Sequence, residues 1–172
     1  MPEFQQNIWA PWRMEYISEL HEGDAPACFL CDYAANPQRD ADNLVVLRGR
    51  HTLMLMNRFP YTGGHLLIAP LEHGGDLAAL PAEVGHELSA RLADGLRVLA
   101  DALSPQGYNI GMNLGRCAGA GLPDHLHWHI VPRWGGDTNF MPVVGDVRVI
   151  PEALRRTHER LCAAVRKLAV GG

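Results

Sequence analysis

No stretch of the sequence approaches the roughly 20 consecutive apolar residues needed to span a bilayer. Nor does the beginning, Met1-Pro2-Glu3-Phe4-Gln5-Gln6, set a basic stretch before an apolar one, as a secretory signal would. No membrane partner is expected, and the expected setting is cytoplasmic. Charge is sparse as well. Asp, Glu, Lys and Arg make up 20% of the chain and leave a formal net charge of −4. That balance gives no electrostatic reason to bind a long nucleic acid. A small anionic ligand would have to be held by local donors, against a mildly adverse overall charge. Cysteine is limited to four residues, which a cytoplasmic setting keeps mostly reduced. Internal repeats and low-complexity segments are missing. What remains is 172 residues, the length of one domain, with 47% hydrophobic residues, enough for a substantial core. Such a composition excludes a disordered chain.

Three histidines alternate with apolar residues in His125-Leu126-His127-Trp128-His129-Ile130-Val131. A period of two predicts a β-strand with unlike faces. Leu126, Trp128 and Ile130 should point to a core and the three imidazoles away from it. At a rise of about 3.3 Å per residue, His125 and His129 would lie about 13 Å apart. That is too far for one metal with ligand bonds near 2 Å. The row is therefore expected to be a divided site, with different tasks at different heights.

Further strands are expected over Leu44 to Leu47, Thr52 to Met56, His65 to Ala69 and Tyr108 to Asn113. Residues 32–43 are polar and read as a connector with a helical turn at its start. Pro81 suits the first turn of a helix. Val84, Leu88, Leu92, Leu96, Leu99 and Leu103 then recur at steps of three or four, one buried stripe that Pro105 and Gly107 close. Pro151 opens a last helix with Leu154, Leu161, Val165 and Leu168 facing inward. Trp9, Trp12, Tyr16, Ile17 and Leu20 mark a short helix or turn over residues 9–22, anchored either on a partner subunit or on the chain's own core. The order predicts an α+β fold, a five-stranded antiparallel sheet with a long helix and a C-terminal helix on one face. No boundary divides the chain. Residues 1–27 read as an N-terminal extension, 28–145 as the core of a single domain and 146–172 as the C-terminal helix.

Cys28-Phe29-Leu30-Cys31 spaces two thiols to meet one tetrahedral metal. A redox pair has the same spacing but needs a βαβ context, which is not visible here. The alternative is two ordinary buried thiols. Two more ligands would be required. His73 follows the third expected strand, and His125 is the first of the alternating histidines. Cys117 and Cys162 have no such spacing.

The pattern His-φ-His-φ-His-φ-φ, with φ apolar, resembles the signature of the histidine triad superfamily of nucleotide hydrolases and transferases. Asn57-Arg58-Phe59-Pro60-Tyr61-Thr62-Gly63-Gly64-His65 resembles its upstream motif, and Asn113-Leu114-Gly115 with the following glycines its phosphate loop. The segments Ile8 to Ile17 and Pro132 to Phe140 are similar to the bacterial branch linked to diadenosine tetraphosphate phosphorylases. The resemblance implies a fold, a reaction and roles. His127 would attack an α-phosphate and carry a nucleotidyl group, His129 would stabilise the spreading charge, and His65 would orient an imidazole. Asn57 would bind the ribose hydroxyls, with Leu55, two residues earlier on the same face, as an apolar wall. Asn113, Gly119, Ala120 and Gly121 would lie along the phosphates. Many relatives carry Gln followed by Ser or Thr where Ala120 and Gly121 stand, so a side-chain donor to the bridging oxygen is missing, and Arg116 is the residue at hand. The resemblance also implies a structural zinc on Cys28, Cys31, His73 and His125, and a homodimer through residues 82–103 and 108–113. The expected ligand is a nucleotide or a dinucleoside polyphosphate, with hydrolysis of dinucleoside polyphosphates or of nucleoside phosphoramidates as the alternative reaction. Phosphate or water as acceptor, and Trp134 beside a second nucleoside or a partner, stay open. So do a binding protein with little catalysis and a zinc hydrolase built on the His-x-His pair.

Overall fold

A computed structural model of the protein describes residues 28–137 and 152–169. The expected turn over residues 9–22 and the Pro151 start lie outside them. Helix α1 (Phe29–Ala35) and a 3₁₀ turn (Pro37–Arg39) lead into strands β1 (Val45–Arg48), β2 (Thr52–Met56) and β3 (Leu66–Pro70). The 22-residue helix α2 (Ala82–Leu103) follows, then β4 (Gly107–Met112), a 3₁₀ turn (Arg116–Ala118), β5 (Trp128–Arg133) and helix α3 (Leu154–Leu168). The five strands form one antiparallel sheet in the order β1-β2-β3-β5-β4. The histidine-bearing strand thus enters between β3 and β4, near the middle of the sheet.

All five residues of β2 and of β3 are buried, so both faces of the sheet are covered there. Met54, Met56, Leu66, Ile68 and Ile130 point to one face and pack on Val84, Leu88, Val98 and Leu99 of α2 and Leu161 and Ala164 of α3. The alternate residues Leu53, Leu55, Leu67 and Ala69 point the other way and meet Leu30 and Tyr33 of α1. The sequence suggested helices on one face. The two long helices do share a face, and the short α1 covers part of the second. His129 stands opposite Leu67 and Gly111, which puts the triad face on the α1 side.

Several boundaries differ from expectation for physical reasons. Leu44 has φ +57°, a left-handed backbone that breaks an extended run, so β1 starts at Val45. The ladder between β3 and β5 ends at Ile68 and Trp128, and His125 and His127 precede β5 instead of lying within it. Leu126 N–H donates to the carbonyl of Gly74 at 2.7 Å instead of to a strand. The stripe on α2 is also mixed. Leu92, Leu96 and Leu103 pack at the margin of the core, while Arg91 and Asp94 are buried and paired at 2.5 Å. At Gly95 a Cβ would lie 2.7 Å from Cδ1 of Ile130, so a glycine lets α2 approach the triad strand. On α3, Leu168 is exposed, whereas His158 is buried and donates from Nε2 to the carbonyl of Val45 at 2.8 Å, satisfying the outer strand.

Gly64, just before β3, has φ +81°, and a Cβ there would run into the Leu103 side chain. Gly64→Ala should therefore lower stability by about 1–3 kcal/mol. Urea unfolding measures it, and an unchanged midpoint would show that the turn relaxes freely.

Candidate active site

The start of β5 and the turn before β3 bring three imidazoles into a row. The ring centroids of His127 and His129 are 5.0 Å apart, and those of His129 and His65 are 5.1 Å apart. Their hydrogen bonds fix which nitrogen carries each proton. The backbone N–H of Tyr61 donates to Nδ1 of His65 at 3.2 Å. His65 therefore holds its own proton on Nε2 and donates it to Nδ1 of His129 at 2.9 Å. His129 in turn keeps its proton on Nε2. His127 is set the opposite way. Its Nδ1–H donates to the carbonyl of His125 at 2.8 Å, which leaves a lone pair on Nε2. A nucleophilic nitrogen thus stands beside an imidazole N–H donor. That pair suits attack on phosphorus with stabilisation of the charge that spreads over its oxygens. Burial, with the neighbouring His127, pushes His129 down to about 4, so it is neutral near pH 7.

The other expected site residues lie nearby in differing states. Asn57 accepts the N–H of Phe59 at 2.9 Å through Oδ1, and its Nδ2 lies 3.4 Å from Nδ1 of His65. Leu55 is 1% exposed, beneath the surface in the cluster with α1. Asn113 donates from Nδ2 to the carbonyl of Gly119 at 3.4 Å, bracing the glycine-rich loop. Gly115 and Gly119 have φ +78° and +87°, which only glycine adopts without strain. The N–H groups of Gly119 and Ala120 bond to the carbonyls of Arg116 and Gly115 at 2.9 and 3.3 Å. They brace the loop itself in this conformation. Ala120 is buried and Gly121 and Arg116 are exposed.

At the other end of the row, Cys28, Cys31, His73 and His125 converge. One ligand atom from each lies within 4.8 Å of all the others. Cys28 caps α1 and Cys31 sits three residues on, so one helix end presents both thiols. Nδ1 of His125 lies 3.1 and 3.6 Å from the two sulfurs, and Nδ1 of His73 lies 3.3 Å from that of Cys31. Zinc bonds of about 2.3 Å to sulfur and about 2.0–2.1 Å to nitrogen imply ligand separations of about 3.3–3.8 Å in a tetrahedron. The donor set and spacing fit such an ion. Nε2–H of His125 donates to the carbonyl of Pro70 at 2.9 Å, which turns Nδ1 toward the thiols. Burial and then the adjacent Cys28 push the Cys31 thiol up, so a thiolate pair here calls for a cation. Burial lowers His125, favouring the neutral form that ligates. Cys117 and Cys162 lie elsewhere, the first exposed and the second 3.4 Å from Nε2 of His158.

Two contacts went unforeseen. The Pro70 carbonyl that holds His125 and the Tyr61 N–H that sets the His65 tautomer are backbone groups, which residue type does not advertise. A groove of about 450 Å³ bordered by His51, His73, Leu80 and Leu126 lies on the side of the Cys2His2 cluster and is not lined by His127 or His129.

The state of His129 has a consequence for stability. Its value in the folded protein lies below the ordinary imidazole value of about 6.5. As pH falls, the unfolded chain takes up the proton first. The stability contributed by neutral His129 is full above about pH 6.5 and is lost as pH falls to about 4. His129→Gln should flatten that part of the dependence. Melting temperatures at the two ends of the window decide it, and equal losses in both proteins would discard the assignment.

The sequence pattern of the HIT domain matches residues 38–136. A Mycobacterium tuberculosis protein named AP-4-A phosphorylase is 38% identical over 160 residues, which cover 91% of this chain and 82% of that protein. An adenosine 5'-monophosphoramidase of Schizosaccharomyces pombe is 26% identical over 115 residues, 67% of this chain and 83% of its own. The crystal structure of a zinc-bound histidine triad family protein from Mycobacterium smegmatis matches with a TM-score of 0.68 at 26% identity, covering 85% of this chain and 98% of that one. Histidine row, sheet order and sequence likeness thus agree, and the chain belongs to the HIT domain family.

Proposed function

We propose that the protein is a nucleotidyl transferase that cleaves dinucleoside polyphosphates, with diadenosine tetraphosphate as substrate and inorganic phosphate as acceptor. The observation that carries this reading is the free lone pair on Nε2 of His127 beside the Nε2–H of His129. The similarity to the M. tuberculosis protein named AP-4-A phosphorylase supports the choice of substrate. In the first step Nε2 of His127 attacks the α-phosphorus, and the bond to the bridging oxygen breaks. ATP leaves, and a nucleotidyl group stays on His127. His129 donates its Nε2–H to a phosphoryl oxygen as charge builds, and His65 holds it in that tautomer. In the second step an oxygen of inorganic phosphate attacks the same phosphorus, the P–N bond breaks, and ADP leaves. In this reading Asn57 binds the ribose hydroxyls, Leu55 lies beneath the base, and Asn113, Gly119, Ala120 and Gly121 run along the phosphates.

We assign the Cys28, Cys31, His73 and His125 cluster to zinc. Bound there, zinc would supply a structural cross-link, since four protein ligands leave no open position for water. A homodimer belongs to the same reading. In it, α2 and the outer strand β4, where Ile110 is 44% exposed, meet their copies. The single-domain division and a cytoplasmic setting complete it. Among the described residues no helix is long and apolar enough to cross a membrane.

Incubation of the protein with diadenosine tetraphosphate tests the reaction. ADP and ATP should form when phosphate is present and not without it. AMP formed without phosphate would make water the acceptor, and no cleavage in either case would end the reading. His127→Ala should lower turnover by roughly three orders of magnitude or more while leaving the fold intact. A variant retaining more than about a tenth of the activity, a change of only about 1.4 kcal/mol in barrier, would remove His127 from the nucleophile role.

Metal analysis should find one zinc per chain in protein purified without chelators. Cys28→Ser should lose that zinc and melt at a lower temperature. Unchanged zinc content in the variant would exclude the cluster as the site.

A further inference from the structure

Tyr61 has no part in the chemistry above beyond its backbone N–H, yet its ring lies on the histidine row. The ring centroid is 4.7 Å from that of His65 at a tilt of 32°. It is 6.1 Å from that of His129, and the two planes are within 21° of parallel. His65 is fully buried, while Tyr61 itself remains 48% exposed. The phenol ring therefore stands between the hydrogen-bonded imidazoles and solvent. Its placement is fixed from several directions. Its own N–H donates to His65, the Thr62 hydroxyl donates to the carbonyl of Pro132 on β5 at 2.8 Å, and Arg58 donates to the Tyr33 hydroxyl of α1 at 2.9 Å.

We propose that Tyr61 is a positioning residue of this site: its ring stacks on His65 and His129, holds them in line and keeps water from the hydrogen bond they share. The proposal rests on the reading of His127 and His129 as the phosphate-transfer pair. Nδ1 of His129 must stay unprotonated to accept from His65, because a proton there would face the Nε2–H of His65 and break the link. Water at that edge would solvate the imidazolium and favour it. A ring lying over the pair denies that solvation. Among the described residues, the titratable groups that face His129 are His127 just before β5, His65 before β3 and the phenol itself. Leu67 on β3 and Gly111 on β4, which flank His129 in the sheet, carry no charge. Burial is the leading cause of the low value of His129, and on this proposal the Tyr61 ring supplies part of that burial.

Two variants separate the ring from the hydroxyl and from the backbone contact, which both variants retain. Tyr61→Phe should match the wild type. Tyr61→Ala should move the titration of His129, followed by NMR of its ring nitrogens, upward toward the ordinary value of about 6.5. The acid limb of kcat on diadenosine tetraphosphate should move upward with it. If the alanine variant fails to fold, Tyr61→Ser takes its place as the ring-free variant, with the same shift expected. A His129 titration unchanged in the ring-free variant would overturn the proposal. So would a Tyr61→Phe shift as large, since the hydroxyl and not the ring would then be responsible. If the wild type cleaves no dinucleoside polyphosphate, the proposed function falls, and the NMR titration still decides the role of Tyr61.

Discussion

The carbonyl oxygen of His125 accepts the Nδ1–H of His127, and the ring of the same residue is held by Pro70 and faces two thiols. One residue thus serves two neighbouring sites with different atoms. Its ring belongs to the cluster of Cys28, Cys31 and His73, and its backbone fixes the tautomer of the middle imidazole. Were the carbonyl turned away, His127 could carry its proton on either nitrogen, and the lone pair would no longer be assigned to Nε2. The departure from the ladder at Trp128 makes this possible. A residue inside the sheet would have given that carbonyl to a strand partner. Because His125 lies before the ladder, its carbonyl is available to a side chain two residues on.

The covering of both sheet faces follows from the same plan. Helices α2 and α3 bury one face, and the close approach at Gly95 brings α2 down on Ile130, the residue next to His129. Held from behind in this way, the imidazoles on the opposite face have little freedom to shift. Helix α1 then closes part of the triad face and delivers Cys28 and Cys31 to the strand ends. Its seven residues bury Leu30 and Tyr33, a small apolar contact for an element whose N-terminal turn, with its cap, presents two thiols. The cluster and the apolar contact together hold α1 to the sheet.

The alternation of residues 125–131 revealed the triad because a period of two leaves a mark in residue type. The place where pairing begins left none, since His125 and His127 keep the alternation without being in the ladder. The stripe on α2 was legible in Val84, Leu88 and Leu99 and misleading at Arg91 and Asp94, two charges that are buried because they neutralise each other. Leu168 fitted the inward spacing on α3, but the helix extends beyond the core at that point. The cover that α1 gives to the second face was hidden in a segment that reads as a cysteine pair followed by a polar connector. Tyr61 sits in a turn, where no periodicity exists to single out one aromatic residue.

The order β1-β2-β3-β5-β4 also governs how the chain is assembled in time. β1, β2 and β3 form a meander from neighbouring segments, whereas among the described residues β4 pairs only with β5. Until residues 128–133 arrive, the β3 edge is open and β4 is unattached. The last of the described strands to emerge is the wedge that joins the two parts, and its pairing with β3 spans a long sequence separation that slows folding. During synthesis, among the described strands, the β3 edge is covered only when β5 arrives, and that strand carries His129.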